Sequence, residues 1–219
     1  MLIGDRMSHP VIPIHPEVPI QEALYKMRKE NVRRFPVVDK RGHLIGIVSE
    51  KDLLEASPSD VTSLSVFELN YLLHRITVEE IMTRNVITVT EDTPIEDAAR
   101  VMSDHKIGGL PVIRNREVVG IITETDLFKI FLELMGAYER GIRITILVPN
   151  IPGELAKISR AIFEKGGNIL ALGTFMGDST ENREILMTVA GIDEPSIKDA
   201  IEPFVEKIVD IREPHLFQT

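Results

Sequence analysis

The 219-residue chain has no cysteine and no tryptophan, and aromatic residues make up only 5% of it. Without cysteine there are no disulfides, no thiolate metal sites and no cysteine nucleophile, which suits a reducing compartment. With so few aromatics the core must be built mostly from aliphatic side chains. No apolar run approaches the ~20 residues that span a bilayer. The opening MLIGDRMSHP lacks a basic stretch followed by an apolar block, so it does not read as a secretion signal. The expectation is a cytoplasmic protein with no membrane partner. The formal charge is −9, and such a surface repels nucleic acid, whose binding needs clustered Lys and Arg. The six histidines are scattered, with no H-x-x-x-H or H-E-x-x-H spacing, so no metal centre is expected.

What the chain does have is a repeat. Residues 7–39 match residues 82–114 at a constant shift of 75: Met7 with Met82, Pro19-Ile20 with Pro94-Ile95, Pro36-Val37 with Pro111-Val112. One extra residue near Arg41-Gly42 then reduces the shift to 74, and GIVSEKDL (46–53) matches GIITETDL (120–127). A slip of one residue inside a turn is what loops tolerate. Each copy reads as a short strand (VIPI, VITV), a helix with apolar residues at helical spacing, a hairpin (FPVVD with LIGIVS; LPVIR with VVGIIT) and a second helix. The unit is β-α-β-β-α, too small to bury a good core alone, and two can pack together. Between the copies, VFELNYLLHR carries Val66, Leu69, Leu72 and Leu73 at helical spacing and reads as a connector helix.

Ser49 and Thr123 each end a strand and open a helix, with Asp52 and Asp126 three residues on. That spacing is a capping box. The same geometry suits a ligand. A helix N-terminus offers free N–H groups to phosphate, and a carboxylate above it can accept hydrogen bonds from both hydroxyls of a ribose. Both readings stand on the residues alone.

These repeats resemble a tandem pair of CBS domains, on FPVVD with GIVSEKDL, LPVIR with GIITETDL, and the openings MSHPVIPI and MTRNVITV. The resemblance implies that Ser49 with Asp52, and Thr123 with Asp126, hold the ribose of an adenosyl ligand in two clefts, with adenine among aliphatic residues such as Ile12 and Ile87. The implied ligands are AMP, ADP, ATP or S-adenosylmethionine, with no cofactor required. Copy one places Arg33-Arg34 where copy two has Gly108-Gly109. In the resemblance that position faces phosphates, which predicts unequal clefts, with the Asp52 cleft taking the charged nucleotide. The alternatives are that the arginines stand in solvent or serve dimer packing.

The last third alternates differently: IRITILV, a helix from about Pro152, ILALGTFM, ILMTVAG, a helix at DEPSIKDAI and KIVDI. The order β-α-β-β-α-β is ferredoxin-like. It resembles an ACT domain on N-I-P-G-E-L (150–155) and G-G-N-I (166–169). That resemblance implies side-by-side dimers and an amino-acid site formed by Asn150, Gly153, Asn168 and Ile169. The family usually has Asp where Asn150 stands, and Asn lacks the charge that meets an α-ammonium.

The expected organisation is α+β: CBS repeat 1 over 1–60, connector 61–77, CBS repeat 2 over 78–135, hinge 136–141 and ACT domain 142–213. No nucleophile–base arrangement, metal cluster or P-loop occurs in the sequence, so the expectation is not an enzyme. The expected function is regulatory: an adenosyl-ligand sensor, self-associating as a homodimer or higher oligomer, acting on a partner enzyme. The alternative is an amino-acid sensor working through the ACT domain, with the CBS pair as scaffold.

Overall fold

The structure is a computed structural model, and it describes residues 1–56 and 76–213. The connector helix expected around Val66–Leu73 lies outside the described residues. The chain divides into two compact units, Met1–Leu127 and Phe128–Thr219. Each is described by itself. No helix among the described residues is long and apolar enough to cross a membrane.

In the first unit, copy one supplies α1 (Ile20–Lys29), β1 (Arg34–Val38), β2 (Leu44–Ser49) and α2 (Glu50–Glu55). Copy two supplies a short α3 (Val78–Ile81), then α4 (Ile95–His105), β3 (Gly109–Arg114), β4 (Glu117–Thr123) and the start of α5 (Glu124–Leu134). The helical spacing read from the sequence becomes the buried stripe: Ile20, Ala23 and Met27 on α1, and Ile95, Ala98 and Met102 on α4. Each hairpin has a register shift at the same place, between Val37 and Val38 and between Val112 and Ile113. In copy two the turn is the tight pair Asn115-Arg116, with φ of 51° and 73°. Copy one has one residue more there and uses Gly42 at φ 83°. The slip in the repeat is therefore a change of hairpin turn, with a left-handed glycine closing the longer loop.

The opening strands are shorter than expected. VIPI keeps a single parallel bridge, Ile14 to Val37, and VITV keeps one, Val89 to Val112. Ile14 still exchanges both backbone bonds with β1, donating to Pro36 O and accepting from Val38 N, each at 3.0 Å. In copy one Pro13 has no N–H to extend the ladder.

The repeats exchange their leading segments. Val78 and Met82, from copy two, sit in the core of copy one with Ile14, Ile20, Phe35, Val48 and Leu53. Ile3, from copy one, is fully buried and donates its N–H to Thr93 O in copy two at 3.0 Å. The isolated bridges come in matched couples: Ile47–Thr83 with Ser8–Ile121, and Pro19–Thr77 with Leu2–Pro94. One further bridge between the copies, His43–Glu117, joins two positions that are each other's counterparts. This set of pairings is that of a pseudo-twofold axis through the pair.

In the second unit β5 (Ile142–Pro149), β6 (Asn168–Met176), β7 (Asn182–Ala190) and β8 (Lys207–Arg212) form an antiparallel sheet in the order β6-β7-β5-β8. Helices α6 (Glu154–Glu164) and α7 (Glu194–Ile201) bury Ile158, Ile162, Ile197 and Ile201 against Ile144, Ile146 and Met187 of the sheet. This is the ferredoxin-like order expected. Asp193 caps α7 by accepting from Ser196 N at 2.9 Å, and at Pro203 the helix gives way to a 3-10 turn, Glu202–Phe204. Gly136, where a hinge was expected, lies against Ala171 and Thr188 of the sheet.

Candidate ligand cleft

The capping box forms in both copies. Asp52 Oδ2 accepts from Ser49 N and from Ser49 Oγ, both at 2.7 Å, and Ser49 Oγ accepts from Asp52 N at 3.3 Å. Asp126 Oδ2 accepts from Thr123 N at 2.9 Å and from Thr123 Oγ1 at 2.7 Å. The structural reading of the phrase is therefore realised. It uses one carboxylate oxygen: among the described residues no hydrogen bond reaches Asp52 Oδ1 or Asp126 Oδ1. The cap fixes the carboxylate at the rim of the helix and leaves its second oxygen available.

At the first copy of the phrase a cavity of about 430 Å³ opens between the repeats. Ser49, Glu50, Lys51 and Asp52 form one wall, Thr83, Asn85, Val86 and Ile87 another. Segments 33–34 and 106–109 complete it. The exchange explains the mixture. The Ile47–Thr83 bridge lays the opening segment of copy two along β2 of copy one, so Ile87 reaches the helix end of the other repeat. Of the residues singled out from the sequence, Ser49, Asp52, Arg33, Arg34 and Ile87 come together here. Thr123 and Asp126 form the matching helix end in the other repeat. Ile12 is half-buried against the copy-one core.

Arg33-Arg34 and Gly108-Gly109 occupy equivalent positions, and all four line the same cavity. They stand where the two repeats meet. Arg34 lies over Gly108, so a Cβ on Gly108 would overlap its guanidinium. The glycines of copy two make room for the arginine of copy one. Two further cations at this cavity, Lys51 and Lys106, were not singled out from the sequence. The available signal was the register of the repeat: Lys51 stands where copy two has Thr125, and Lys106 where copy one has Asn31. Among the described residues no cluster of three or more His, Asp or Glu is placed to hold a metal ion.

In the second unit the four expected residues do not converge. Asn150 and Gly153 lie in the loop between β5 and α6. Asn168 and Ile169 begin β6, paired with Ala190 and Val189, whereas Pro149 pairs with Asn182 at the other end of β7. The two pairs thus sit at opposite ends of the sheet, separated by about 25 Å of strand. The amide of Asn150 is also committed. Its Nδ2 donates to Thr180 O at 2.9 Å and its Oδ1 accepts from Arg183 Nε at 3.4 Å, tying the β6–β7 loop to its own. Gly153 has φ 97° with nothing within 4 Å of a built Cβ. Backbone conformation, not crowding, calls for glycine there.

Comparison with known proteins fits this architecture. The CBS domain model matches residues 3–59 and 78–133, and the TTHA0829-like ACT domain model matches residues 140–212. The L-aspartate semialdehyde sulfurtransferase of Methanocaldococcus jannaschii is 37% identical over 131 residues, which are 59% of this chain and 23% of that enzyme. The chain thus spans less than a quarter of that relative. A CBS domain-containing protein of Dictyostelium discoideum is 28% identical over 62% of this chain and 94% of its own. Among solved structures, the CBS domain pair of protein MJ0100, in complex with 5′-methylthioadenosine and S-adenosyl-L-methionine, is 38% identical with a TM-score of 0.51, covering 60% of this chain and 95% of that one. An acetoin utilization protein (AcuB) from Vibrio cholerae is 29% identical with a TM-score of 0.52, covering 64% of this chain and 96% of that one. The chain belongs to the CBS domain family, carrying a tandem CBS pair followed by a TTHA0829-like ACT domain.

Proposed function

We propose that this protein is a regulatory sensor, not an enzyme, that holds an adenosyl small molecule in the cleft between its CBS repeats. The observation that carries the reading is the single cavity at which Ser49, Asp52 and Ile87 meet. Asp52, fixed through Oδ2, offers Oδ1 to a ribose diol. Ser49 stands beside it, and Ile87 supplies an apolar wall for adenine. The likeness to the MJ0100 pair, whose complex holds two adenosyl compounds, supports the ligand class. Thr123 and Asp126 repeat the arrangement for a second cleft.

Ligand binding across the two repeats biases their relative placement, since each wall comes from a different copy. Signalling then requires a partner, an enzyme or a second copy of the chain, with different affinity for the two placements. The ACT domain serves as the dimerising or second sensing module of a cytoplasmic homo-oligomer. The amino-acid-sensor alternative is the weaker one, because the Asn150 amide is spent on Thr180 and Arg183 and Asn168 lies at the far end of the sheet. Growth of a deletion strain on acetoin tests whether the pathway named for the Vibrio protein extends to this one.

Thermal unfolding of the purified, nucleotide-free chain tests the reading. A ligand present at a hundred times its Kd adds about 2.7 kcal/mol. Methylthioadenosine, AMP, ADP or S-adenosylmethionine should raise the midpoint by several degrees. No rise with any of the four contradicts it.

A further inference from the structure

We infer that the Asp52 cleft selects adenosyl ligands with an anionic tail over those with a cationic sulfonium, and that Lys106, assisted by Lys51, sets this preference. The inference rests on the adenosyl reading above and concerns the part of the ligand beyond the ribose.

Four cations line the cavity, Arg33, Arg34, Lys51 and Lys106, against two carboxylates, Glu50 and Asp52. The excess is positive in a chain whose formal charge is −9. Among the described residues, Arg33, Arg34 and Lys106 form no ion pair, and Lys51 stands 3.6 Å from Glu55 Oε1 on an exposed turn of α2. Glu124 Oε2 also comes close to the Gly108 position that Arg34 covers, which still leaves Arg33 and Lys106 without a carboxylate partner among the described residues, and cations gathered at a concave site attract an anion.

The arginine pair cannot by itself distinguish one cleft from the other. Arg33-Arg34 and their counterparts Gly108-Gly109 line the same cavity, so the arginines stand at the junction of the repeats. The lysines do distinguish the clefts. The counterpart of Lys51 is Thr125 and that of Lys106 is Asn31, both uncharged. The charge that belongs to the Asp52 cleft alone is therefore lysine charge.

The backbone at Lys106 adds an independent observation. Lys106 caps α4 in the left-handed conformation, φ 54° and ψ 42°. Asn31, at the same place in copy one, has φ 53°. Asn tolerates this conformation and lysine resists it. The fold therefore has a less strained residue for this turn and uses it in the other copy. A costly residue kept at the mouth of a cavity, with no partner of its own among the described residues, points to a ligand partner.

The test is titration calorimetry on the full-length, nucleotide-free protein with methylthioadenosine, AMP, ADP and S-adenosylmethionine. Wild type is compared with Lys106→Asn and Lys51→Thr, each of which installs the residue that the other repeat already accommodates. ADP is expected to bind at least about tenfold more tightly than methylthioadenosine, with S-adenosylmethionine no tighter than the neutral compound. Lys106→Asn should weaken ADP by about fivefold to tenfold, leave methylthioadenosine within twofold and not lower the thermal midpoint of the free protein. Lys51→Thr should weaken ADP less, because Glu55 shares that charge. Added salt should weaken ADP and spare methylthioadenosine. S-adenosylmethionine binding more tightly than ADP, or unchanged ADP affinity in Lys106→Asn, overturns the inference while leaving the adenosyl reading in place. Failure of all four compounds, neutral methylthioadenosine included, overturns both.

Discussion

Met82 lays its thioether against Gly46, so close that a Cβ on the glycine would stand 2.5 Å from the sulfur and 3.2 Å from the carbonyl oxygen of Thr83. Met7 makes the reciprocal contact on Gly120. The repeated phrase begins with glycine in both copies because each glycine receives the methionine of the other repeat. Gly46→Ala should cost about 1–3 kcal/mol by overpacking, since the Thr83 carbonyl stands in the way as well as the methionine, and Gly120→Ala should cost less, since only the flexible Met7 side chain must move. Urea denaturation checks this. Wild-type midpoints in both variants would mean that the methionines swing aside freely and that the contact does not join the repeats.

The caps can be separated from the ligand contacts. Ser49 and Thr123 each accept from the N–H of the aspartate three residues on. Ser49→Ala should lose about 1 kcal/mol, and Ser49→Gly only a few tenths, because glycine is itself a fair cap. If both cost the same, Ser49 contributes through packing instead.

Asn150 is predicted to resist replacement by the Asp usual in ACT loops. Its Nδ2 donates to Thr180 O, and a carboxylate would set two acceptors against each other there. Asn150→Asp should destabilise the domain by about 1 kcal/mol. It should also raise hydrogen exchange at Asn150 N, which donates to Glu181 O at 2.7 Å. Unchanged exchange and stability would show that the Arg183 contact compensates.

Glu91 gives a pH signature. Arg114 donates to both of its oxygens, each at 2.6 Å, and the hydrogen bond from Arg114 holds the Glu91 carboxyl below its ordinary 4.5. A depressed folded-state pKa contributes stability above the unfolded value, and that contribution is lost as pH falls through the folded one. Arg114→Ala should therefore narrow the acid edge of the stability profile, with wild type and variant differing at neutral pH and converging below the folded pKa of Glu91. A difference that persists at low pH would assign the effect to packing. An NMR titration should find the Glu91 carboxyl moved up in the variant.

The local structure was legible in the sequence. The shift of 75 and then 74, the apolar spacing of Ile20, Ala23 and Met27, the S-x-x-D box and the β-α-β-β-α-β order all became the elements expected, because each depends on neighbouring residues. The exchange of leading segments was not legible. Val78 and Met82 precede the copy-two strand in sequence yet fill the copy-one core, and nothing local marks which of two like surfaces they choose. The opening strands were overestimated because β-branched composition cannot tell a ladder from the single bridge that Ile14 makes. Asn168 and Asn150 fall in one family pattern, but α6 and its loops carry the chain to the opposite end of the sheet between them. Lys51 and Lys106 lie in different copies, and only the folded cleft puts them at one cavity.

Calorimetric titration of methylthioadenosine and ADP into wild type, Asp52→Ala and Asp126→Ala tests the central claim most directly. The expected result is saturable binding in wild type, with ADP binding at the first cleft abolished or weakened at least about tenfold by Asp52→Ala, since a charged hydrogen-bond partner of the ribose is removed. Asp126→Ala should leave that binding in place. Full affinity in Asp52→Ala for both compounds would contradict the claim and leave the S-x-x-D box as a helix cap alone.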